Sequence, residues 1–453
     1  MAAQILAICI FVGMFLLIIL DKFERYYITL ASGALVLALV FGVCMHSMSA
    51  IWGTLNLPSI FTSGFWYGAS EEGNSGINWS TIFFIAGMMI MVEGLGKAGF
   101  FRWLCLTLAK LVRYRIVPLL VCFMVLSAVL SMFIDSITVV LFLATVTLEL
   151  AQTMKFNPIP MILSEVFCAN LGGAATMCGD PPNIIVGTSL GYTFFDFISN
   201  TGVAVAICFV LVLIYFVLCF HKRLLRDEKN SGAAVCPQPG TAITNRPAFL
   251  LSAGVFLLAV ILLATHAQTK LTVACIGVIV AALSLVVIGC TSGGKAVLEI
   301  IKGVDYKTLL FFIGLFVSVA GLKETGVLDV IARFITTVSG GNAAIIVVII
   351  LWISAVTSAF VDNIPFAATM IPVVRSIAAA SGIDMGVLAW ALSLGTDLGG
   401  NATPIGASAN VVGTSVAAKG GYPISWGVYC KYCVGATVLV IAVSMGYLFL
   451  RYL

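Results

Sequence analysis

Charged residues are scarce in this sequence. Only 9% of its 453 residues are charged, against about 25% in an average soluble domain, and 61% are hydrophobic. This scarcity excludes an ordinary soluble domain, and the net charge of +4 is too small to predict a nucleic-acid partner. We therefore expect an all-α polytopic protein that is embedded in a lipid bilayer.

Several functional motifs are also missing. No glycine-rich nucleotide-binding loop is present, so an ATPase drive would need a partner chain. Among the thirteen cysteines only Cys430 and Cys433 form a close pair, and no neighbouring histidine completes a zinc site. We expect no disulfide framework, no cofactor and no firm metal site, and the sequence assigns no role to this cysteine pair.

Long apolar runs are what the sequence does contain. Runs that can supply about 20 helical residues predict ten transmembrane helices, near residues 2–20, 27–45, 79–97, 159–190, 200–220, 248–265, 271–289, 304–322, 386–415 and 432–450. Two further apolar stretches, 116–153 and 343–378, carry an aspartate near the centre and predict re-entrant hairpins.

Two of the predicted spans are interrupted by segments that do not suit a continuous helix. Residues 170–183 read NLGGAATMCGDPPN, and residues 397–410 read DLGGNATPIGASAN. Broken backbone at membrane depth is tolerated only where it is buried in protein or lines a wet cavity. A pair of broken helices in corresponding positions of two halves therefore predicts a transporter binding site.

The two breaks belong to a duplication. Residues 78–185 align without a gap with residues 305–412 at a constant offset of 227 residues. Lysine and arginine are concentrated in alternate loops, and placing these in the cytoplasm collects 18 of the 23 basic residues there, with both termini outside. The cytoplasmic loops are 21–26, 97–115, 154–156, 221–247, 290–307 and 413–431. The two halves are then inverted, which is the arrangement expected for alternating access around a midplane site.

The chain divides accordingly into five parts. We predict two N-terminal helices and an extracytoplasmic loop (1–77), the first inverted repeat (78–220), a cytoplasmic linker (221–247), two linking helices (248–303), and the second inverted repeat with a C-terminal helix (304–453).

The candidate site combines the two hairpin tips with the two breaks. Its residues are Asp135, Ser136, Thr138, Asn170, Gly172, Gly173, Thr176, Gly179, Asp180, Asn183, Asp362, Asn363, Asp397, Gly399, Gly400, Asn401, Thr403 and Asn410. Ionisable residues at membrane depth are functional by default. Four carboxylates and no lysine or arginine are expected at the midplane, which favours a cation, a proton or a neutral solute. H⁺ or Na⁺ is the expected coupling ion, with sodium at Asp135 and Asp362.

Structural roles are the alternative for several of these residues. The tip aspartates can act as N-caps, Asp180 can cap the helix that restarts at two prolines, and Asn183 and Asn410 can satisfy the freed backbone. Asp397 is placed either in proton coupling or in a structural role. Three glutamates lie in or near apolar spans: we expect Glu149 and Glu165 at the cytoplasmic edge, and Glu93 as the glutamate of functional interest.

These motifs resemble a transporter family. The GDPPN break at 179–183, the DNIP tip at 362–365 and the LGGNATPIGASANVV run at 398–412 resemble the ArsB arsenical-pump and P protein branch of the ion transporter superfamily. That superfamily also contains NhaD sodium/proton antiporters and, more distantly, divalent anion/sodium symporters. The resemblance implies that Asp135, Ser136 and Thr138 stand where the symporters carry Ser-Asn-Thr, and that Asp362, Asn363 and Pro365 form the second tip. Aspartate in place of serine disfavours a dicarboxylate and fits arsenite or sodium moving against protons.

We therefore expect an ion-coupled secondary active transporter, not an enzyme, that exports arsenite or antimonite in exchange for protons across a bacterial inner membrane. Sodium/proton antiport and sodium-coupled transport of a dicarboxylate-type anion are the alternatives, and a channel is a further one. An intramembrane aspartyl protease is the alternative of a different class, because residues 177–180 loosely resemble Gly-x-Gly-Asp. The expected partners are a small inorganic solute or ion and the lipid bilayer, and a homodimer is compatible with the sequence.

Overall fold

The computed structural model describes residues 1–20, 22–68, 76–230 and 237–453. Within these ranges, ten helices are long and apolar enough to cross a membrane. Eight of them are spans that the sequence predicts, and the other two, Ser136–Met154 and Asn363–Ser381, are the second arms of the two hairpins. The two interrupted spans each consist of two shorter helices, as predicted, and the polytopic all-α fold class is confirmed.

The helices follow one another in four groups. The N-terminal group contains α1 (Ala2–Leu20), α2 (Arg25–Leu35, continued by the π-helix Val36–Cys44), α3 (Met48–Leu55) and α4 (Ser63–Trp66). The first repeat contains α5 (Trp79–Lys97), α6 (Phe100–Leu111), α7 (Ile116–Ser131), α8 (Ser136–Met154), α9 (Ile159–Gly173) and α10 (Pro181–Leu190). The middle group contains α11 (Phe194–Phe197), α12 (Val203–Asn230), α13 (Arg246–Thr269), α14 (Val273–Ser292) and α15 (Gly294–Gly303). The last group contains α16 (Tyr306–Glu324), α17 (Val327–Val338), α18 (Ala343–Ser358), α19 (Asn363–Ser381), α20 (Met385–Gly399), α21 (Ser408–Lys419) and α22 (Trp426–Tyr452).

Helix boundaries reproduce the duplication. The helices α16 to α19 begin and end 227 residues after α5 to α8, so that α5 begins at 79 and α16 at 306. Asn78 and Asp305 accept a hydrogen bond from the third residue of α5 and α16. Gly99 and Gly326 precede α6 and α17 with φ of +86° and +76°, a conformation that costs glycine little. The same local signals therefore start the same helices in both halves.

Glycine also brings equivalent helices into contact. A Cβ on Gly87 of α5 would lie 2.1 Å from the backbone oxygen of Gly277 of α14, and a Cβ on Gly314 of α16 would lie 2.3 Å from the carbonyl carbon of Thr29 of α2. Since Gly87 and Gly314 are equivalent positions, α14 and α2 take equivalent places. The helix that precedes each repeat therefore packs against the first helix of the other repeat.

The structure differs from the prediction in two connecting segments. The helix α12 continues to Asn230 and so includes the first ten residues of the predicted linker. The predicted loop 97–115 contains α6, which buries one face through Phe101 and Cys105. Both segments were predicted as loops because they lie between the apolar spans, but a segment outside the spans can still form a helix, and its charge indicates only the side of the membrane. The predicted outer loop contains α3 and α4, and its acidic residues 71 and 72 lie outside the described residues.

The first hairpin arms lie so close to the breaks that alanine should not replace glycine there. A Cβ on Gly172 would lie 2.1 Å from the backbone oxygen of Ala128, and its equivalent on Gly399 2.3 Å from the Cα of Ala355. Relief requires a backbone shift, so we expect Gly172→Ala to cost about 1–3 kcal/mol and to lower the thermal unfolding temperature in detergent. The control is Gly446→Ala in α22, where a Cβ meets nothing within 4 Å. Equal unfolding temperatures for the two variants would contradict the close packing.

Candidate functional site

A cavity of about 700 Å³ reaches both hairpin tips. Asp135 and Asp362 line its inner end, and Lys22, Glu24 and Lys307 line its mouth. Those mouth residues lie in segments that the charge distribution assigns to the cytoplasm. Most of the remaining lining is apolar and comes from α5, α8 and α16. We refer to this space as the large cavity.

Both tip aspartates cap the helix that they begin. Asp135 accepts hydrogen bonds from the backbone nitrogen and the hydroxyl of Thr138 at 2.9 and 2.7 Å. Asp362 Oδ1 accepts one from the backbone nitrogen of Ile364 at 3.3 Å. The capping alternative is therefore realised at both tips. It is compatible with an ion site, because the N-terminus of a helix favours negative charge, each carboxylate has further lone pairs, and both residues line the cavity.

An arginine reaches the second tip, so the expectation of a centre without basic residues is wrong. Arg25 Nη1 lies 2.7 Å from Asp362 Oδ2, and the Ser408 hydroxyl donates to the same oxygen at 2.7 Å. The side chain of Asp362 is only 5% exposed, against 33% for Arg25. The two residues are 337 positions apart in the sequence, and the charge rule assigned Arg25 to a loop. The large cavity therefore presents a cationic group to a solute as well as carboxylates.

Asp180 of the first break joins the two hairpin tips. Ser136 of the first tip donates to its Oδ1 at 2.6 Å, and Asn363 of the second tip donates to its Oδ2 at 3.2 Å. Asp180 occupies the N-cap position of α10 but its side chain accepts no capping hydrogen bond. The capping alternative is therefore wrong for this residue. Its carboxyl instead connects the two repeats at a position that is 3% exposed.

The remaining polar residues of the breaks satisfy the backbone in the same way in both halves. Asn183 donates to Gly173 O and Thr176 O, both at 3.1 Å. Asn410 donates to the equivalent carbonyls of the second break, both at 2.8 Å. The hydroxyls of Thr176 and Thr403 donate to carbonyls in the turn of the adjacent hairpin. Each break is thus attached to its own tip.

Asp397 is the exception to this symmetry. Its equivalent, Asn170, donates to the side-chain oxygens of Asn401 and Asn410 at 2.9 and 2.8 Å. Asp397 is fully buried, and neither carboxyl oxygen has a hydrogen-bond partner among the described residues. A buried charge without a partner is very costly, so a proton or a cation must accompany this carboxyl. Asn183 neighbours this carboxyl, in the position that Asn410 takes beside Asn170.

The substitution Asp397→Asn separates a structural role from a coupling role. Asparagine already occupies the equivalent position, so we expect the variant to fold and to bind solute with unchanged affinity. If Asp397 carries a proton during transport, the variant should lose at least part of the pH dependence of solute flux. The flux is measured in liposomes between about pH 5.5 and about pH 8.5, in steps of ~ten-fold in proton concentration. A flux profile identical to that of the wild type would assign Asp397 to structure alone.

The three glutamates have different environments. Glu165 is not at a wet edge: it is fully buried, its Oε1 accepts from Thr147 at 2.5 Å, and its Oε2 has no partner in the described part of the chain. The helix α9 is enclosed by other helices over its whole length, which a linear apolar pattern does not reveal. Glu149 pairs with Arg102 at 2.6 Å near the surface, and Glu93 lines the large cavity.

A second pocket occupies the position that the repeat assigns to a counterpart of the large cavity. This small pocket has a volume of about 140 Å³ and is lined by residues of α5, α10, α16 and α19. Asn78 and Ser80 line it where their equivalents, Asp305 and Lys307, line the large cavity. Inverted repeats place the two spaces on opposite sides of the membrane. The tips are therefore accessible from one side and closed from the other.

Known proteins resemble this chain in sequence and in fold. A family model described as a citrate transporter, CitMHS, matches residues 15–395. The transporter Rv2684 of Mycobacterium tuberculosis is 33% identical over 451 residues, 99% of each chain. The 46 kDa membrane protein of Mycobacterium leprae is 32% identical over 454 residues, again 99% of each chain. The human P protein is 27% identical over 453 residues, and the match covers 83% of this chain and 53% of the P protein.

Two solved structures share the fold alone. The YdaH transporter of Alcanivorax borkumensis superposes with a TM-score of 0.54 at 16% identity, over 81% of this chain and 84% of that one. MtrF of Neisseria gonorrhoeae, described within a class of antimetabolite efflux pumps, gives a TM-score of 0.54 at 12% identity, over 82% of this chain and 80% of that one. The predicted resemblance to the P protein branch of the ion transporter superfamily is confirmed.

Proposed function

We propose, from the premise that this chain belongs to the CitMHS citrate transporter family, that it moves a polycarboxylate anion across the membrane together with H⁺ or Na⁺. The chain is a membrane transporter and not an enzyme, and the protease alternative has no support among its relatives. Its mycobacterial relatives support a place in a bacterial inner membrane.

Alternating access rests on one observation, the unequal volumes of two spaces that the inverted repeat relates. The large cavity reaches the tip carboxylates from one side, and the small pocket stops short of them on the other. Exchange of the two repeat conformations would exchange the two volumes, and the tips would then face the opposite side. Asp180 accepts hydrogen bonds from both tips, and such an exchange must rearrange these hydrogen bonds.

The ion pair between Arg25 and Asp362 supports an anionic solute. A carboxylate of the solute can replace Asp362 as the partner of the guanidinium, because both offer the same planar pair of oxygens. Asp362 and Asp135 are then available to a cation, which reduces the repulsion between these carboxylates and the solute. This order of contacts couples anion binding to cation binding without a separate energy source.

Efflux of arsenite in exchange for protons is the second candidate, and Cys178 favours it. This thiol belongs to the first break and lines the large cavity, and sulfur is a soft ligand. A small neutral solute needs no cationic partner, however, so this candidate gives Arg25 no role in binding. Sodium/proton antiport on the same scaffold shares the proposed cation sites at the tips.

Transport in liposomes of purified protein tests the proposal. We expect an inward citrate gradient to drive citrate uptake and to move H⁺ or Na⁺, reported by a pH-sensitive dye and by ²²Na⁺. Arsenite and sodium gradients are applied separately to the same vesicles, and vesicles without protein provide the background. Ion movement that follows arsenite or sodium but not citrate would overturn the polycarboxylate proposal in favour of the corresponding alternative.

A further inference from the structure

We propose that the small pocket is a separate anion-binding site, in which Lys323 and Arg375 hold a carboxylate or other oxyanion on the side of the membrane opposite to the mouth of the large cavity. The identity of the anion as the transported solute rests on the proposed function. The existence of the site does not.

Charge is the first observation. Lys323 and Arg375 both line the small pocket, and none of its described lining residues is an aspartate or a glutamate. The positive charge of Arg375 acts on the Lys323 ammonium. Glu324 and Asp329 also act on that ammonium, but neither lines the pocket. Two like charges that face one small space repel each other, and an anion between them offsets this repulsion because it attracts both.

Unused hydrogen-bonding capacity is the second observation. The Lys323 ammonium makes no hydrogen bond or ion pair with the described residues, although an ammonium can donate three. Arg375 Nη2 donates to the backbone oxygen of Ser189, which leaves further guanidinium donors. Ser80 lines the same space and offers a hydroxyl group. The volume of about 140 Å³ suits one or two carboxylate groups.

The repeat shows that this charge is not a product of duplication. The equivalents of Lys323 and Arg375 are Gly96 and Leu148, which carry no charge. Conversely, the large cavity has Glu93 where the small pocket has Ala320. The small pocket and the large cavity therefore share their architecture but differ in charge at these positions. A cationic vestibule raises the local concentration of an anion at the entrance.

Arg375 also connects anion binding to closure. Its contact with Ser189 joins α19 of the second repeat to the end of α10 of the first. An anion that draws the guanidinium away from this carbonyl would release one link across the closed side. Lys323 makes no such contact, so substitution of Lys323 tests anion binding without removing the link.

Cysteine protection in detergent tests the site without any transport. Ser80→Cys, in a chain whose native cysteines are replaced by serine, places a thiol in the small pocket, and Thr308→Cys places one in the large cavity. The rate of labelling by a maleimide is measured in a neutral detergent at increasing concentrations of citrate, of inorganic phosphate or of an anionic lysolipid. We expect citrate or phosphate to protect the Ser80→Cys thiol, and Lys323→Gln to raise the half-protecting concentration at least tenfold. The control Arg333→Gln removes an exposed charge outside the pocket and should change nothing.

The outcomes are distinct. No protection by any of the three anions, or protection that Lys323→Gln leaves unchanged, overturns the site. If Lys323→Gln raised the half-protecting concentration equally at the Thr308→Cys thiol, the effect would be a general conformational one, and the site would also be overturned. Protection by the lysolipid alone assigns the pocket to a lipid headgroup and refutes a soluble anion. Protection by phosphate without citrate transport in liposomes upholds the site while the proposed function fails.

Discussion

Replacement of Asp135 or Asp362 by asparagine is expected to abolish coupled transport in a protein that still folds. Asparagine keeps the shape of aspartate and can accept the capping hydrogen bonds that both residues receive. It carries no charge, so it removes a ligand for the coupling cation. Loss of one buried charge from such a site costs about 3 kcal/mol, roughly 100-fold in flux. Citrate uptake in liposomes and thermal unfolding in detergent measure the two properties separately.

Asp384→Asn provides the matched control. Asp384 is also an N-cap aspartate, with hydrogen bonds from Gly386 N and Val387 N at the start of α20. It lines neither the large cavity nor the small pocket. Wild-type uptake is expected for this variant. The assignment of the tips to ion binding fails if Asp135→Asn or Asp362→Asn also transports at the wild-type rate.

Substitution of Arg25 should have the second largest effect, and it discriminates between solutes. Arg25→Gln removes the cation that we assign to the solute carboxylate. Among the described residues, it leaves Ser408 as the side-chain donor to Asp362. Loss of a charge-assisted contact of about 1.5–3 kcal/mol predicts a rise of roughly 10- to 100-fold in the citrate KM. Arg25→Lys keeps the charge but not the planar fork, so an intermediate KM is expected.

The KM of each variant comes from initial rates of citrate uptake at several concentrations. Arg102→Gln is the control, because Arg102 pairs with Glu149 near the surface at a similar distance of 2.6 Å. Such exposed pairs contribute about 0–1 kcal/mol, and no change in KM is expected. An unaltered citrate KM in Arg25→Gln would contradict the role of the guanidinium. Unaltered arsenite flux with a lost citrate flux would assign Arg25 to the anion specifically.

Local signals in the sequence determined the architecture. Apolar runs of membrane length, repeated at one offset, predicted the helices, the hairpins and the inverted duplication. The glycines and prolines of the breaks predicted interrupted helices, since a continuous helix cannot accommodate that backbone. Asp135, Asp362, Asn183 and Asn410 were recognised because polar residues at membrane depth stand out against an apolar background.

Only the tertiary structure decided which of these groups meet and with what charge. Arg25 pairs with Asp362 across 337 residues, and Asp180 binds both tips instead of capping its own helix. Glu165 is enclosed in protein and not at a wet edge. Such contacts depend on the relative placement of helices, which is set by packing around glycines such as Gly87 and Gly314. A linear pattern reports how a residue relates to its own helix, whereas its electrostatic partners come from other helices that fold against it.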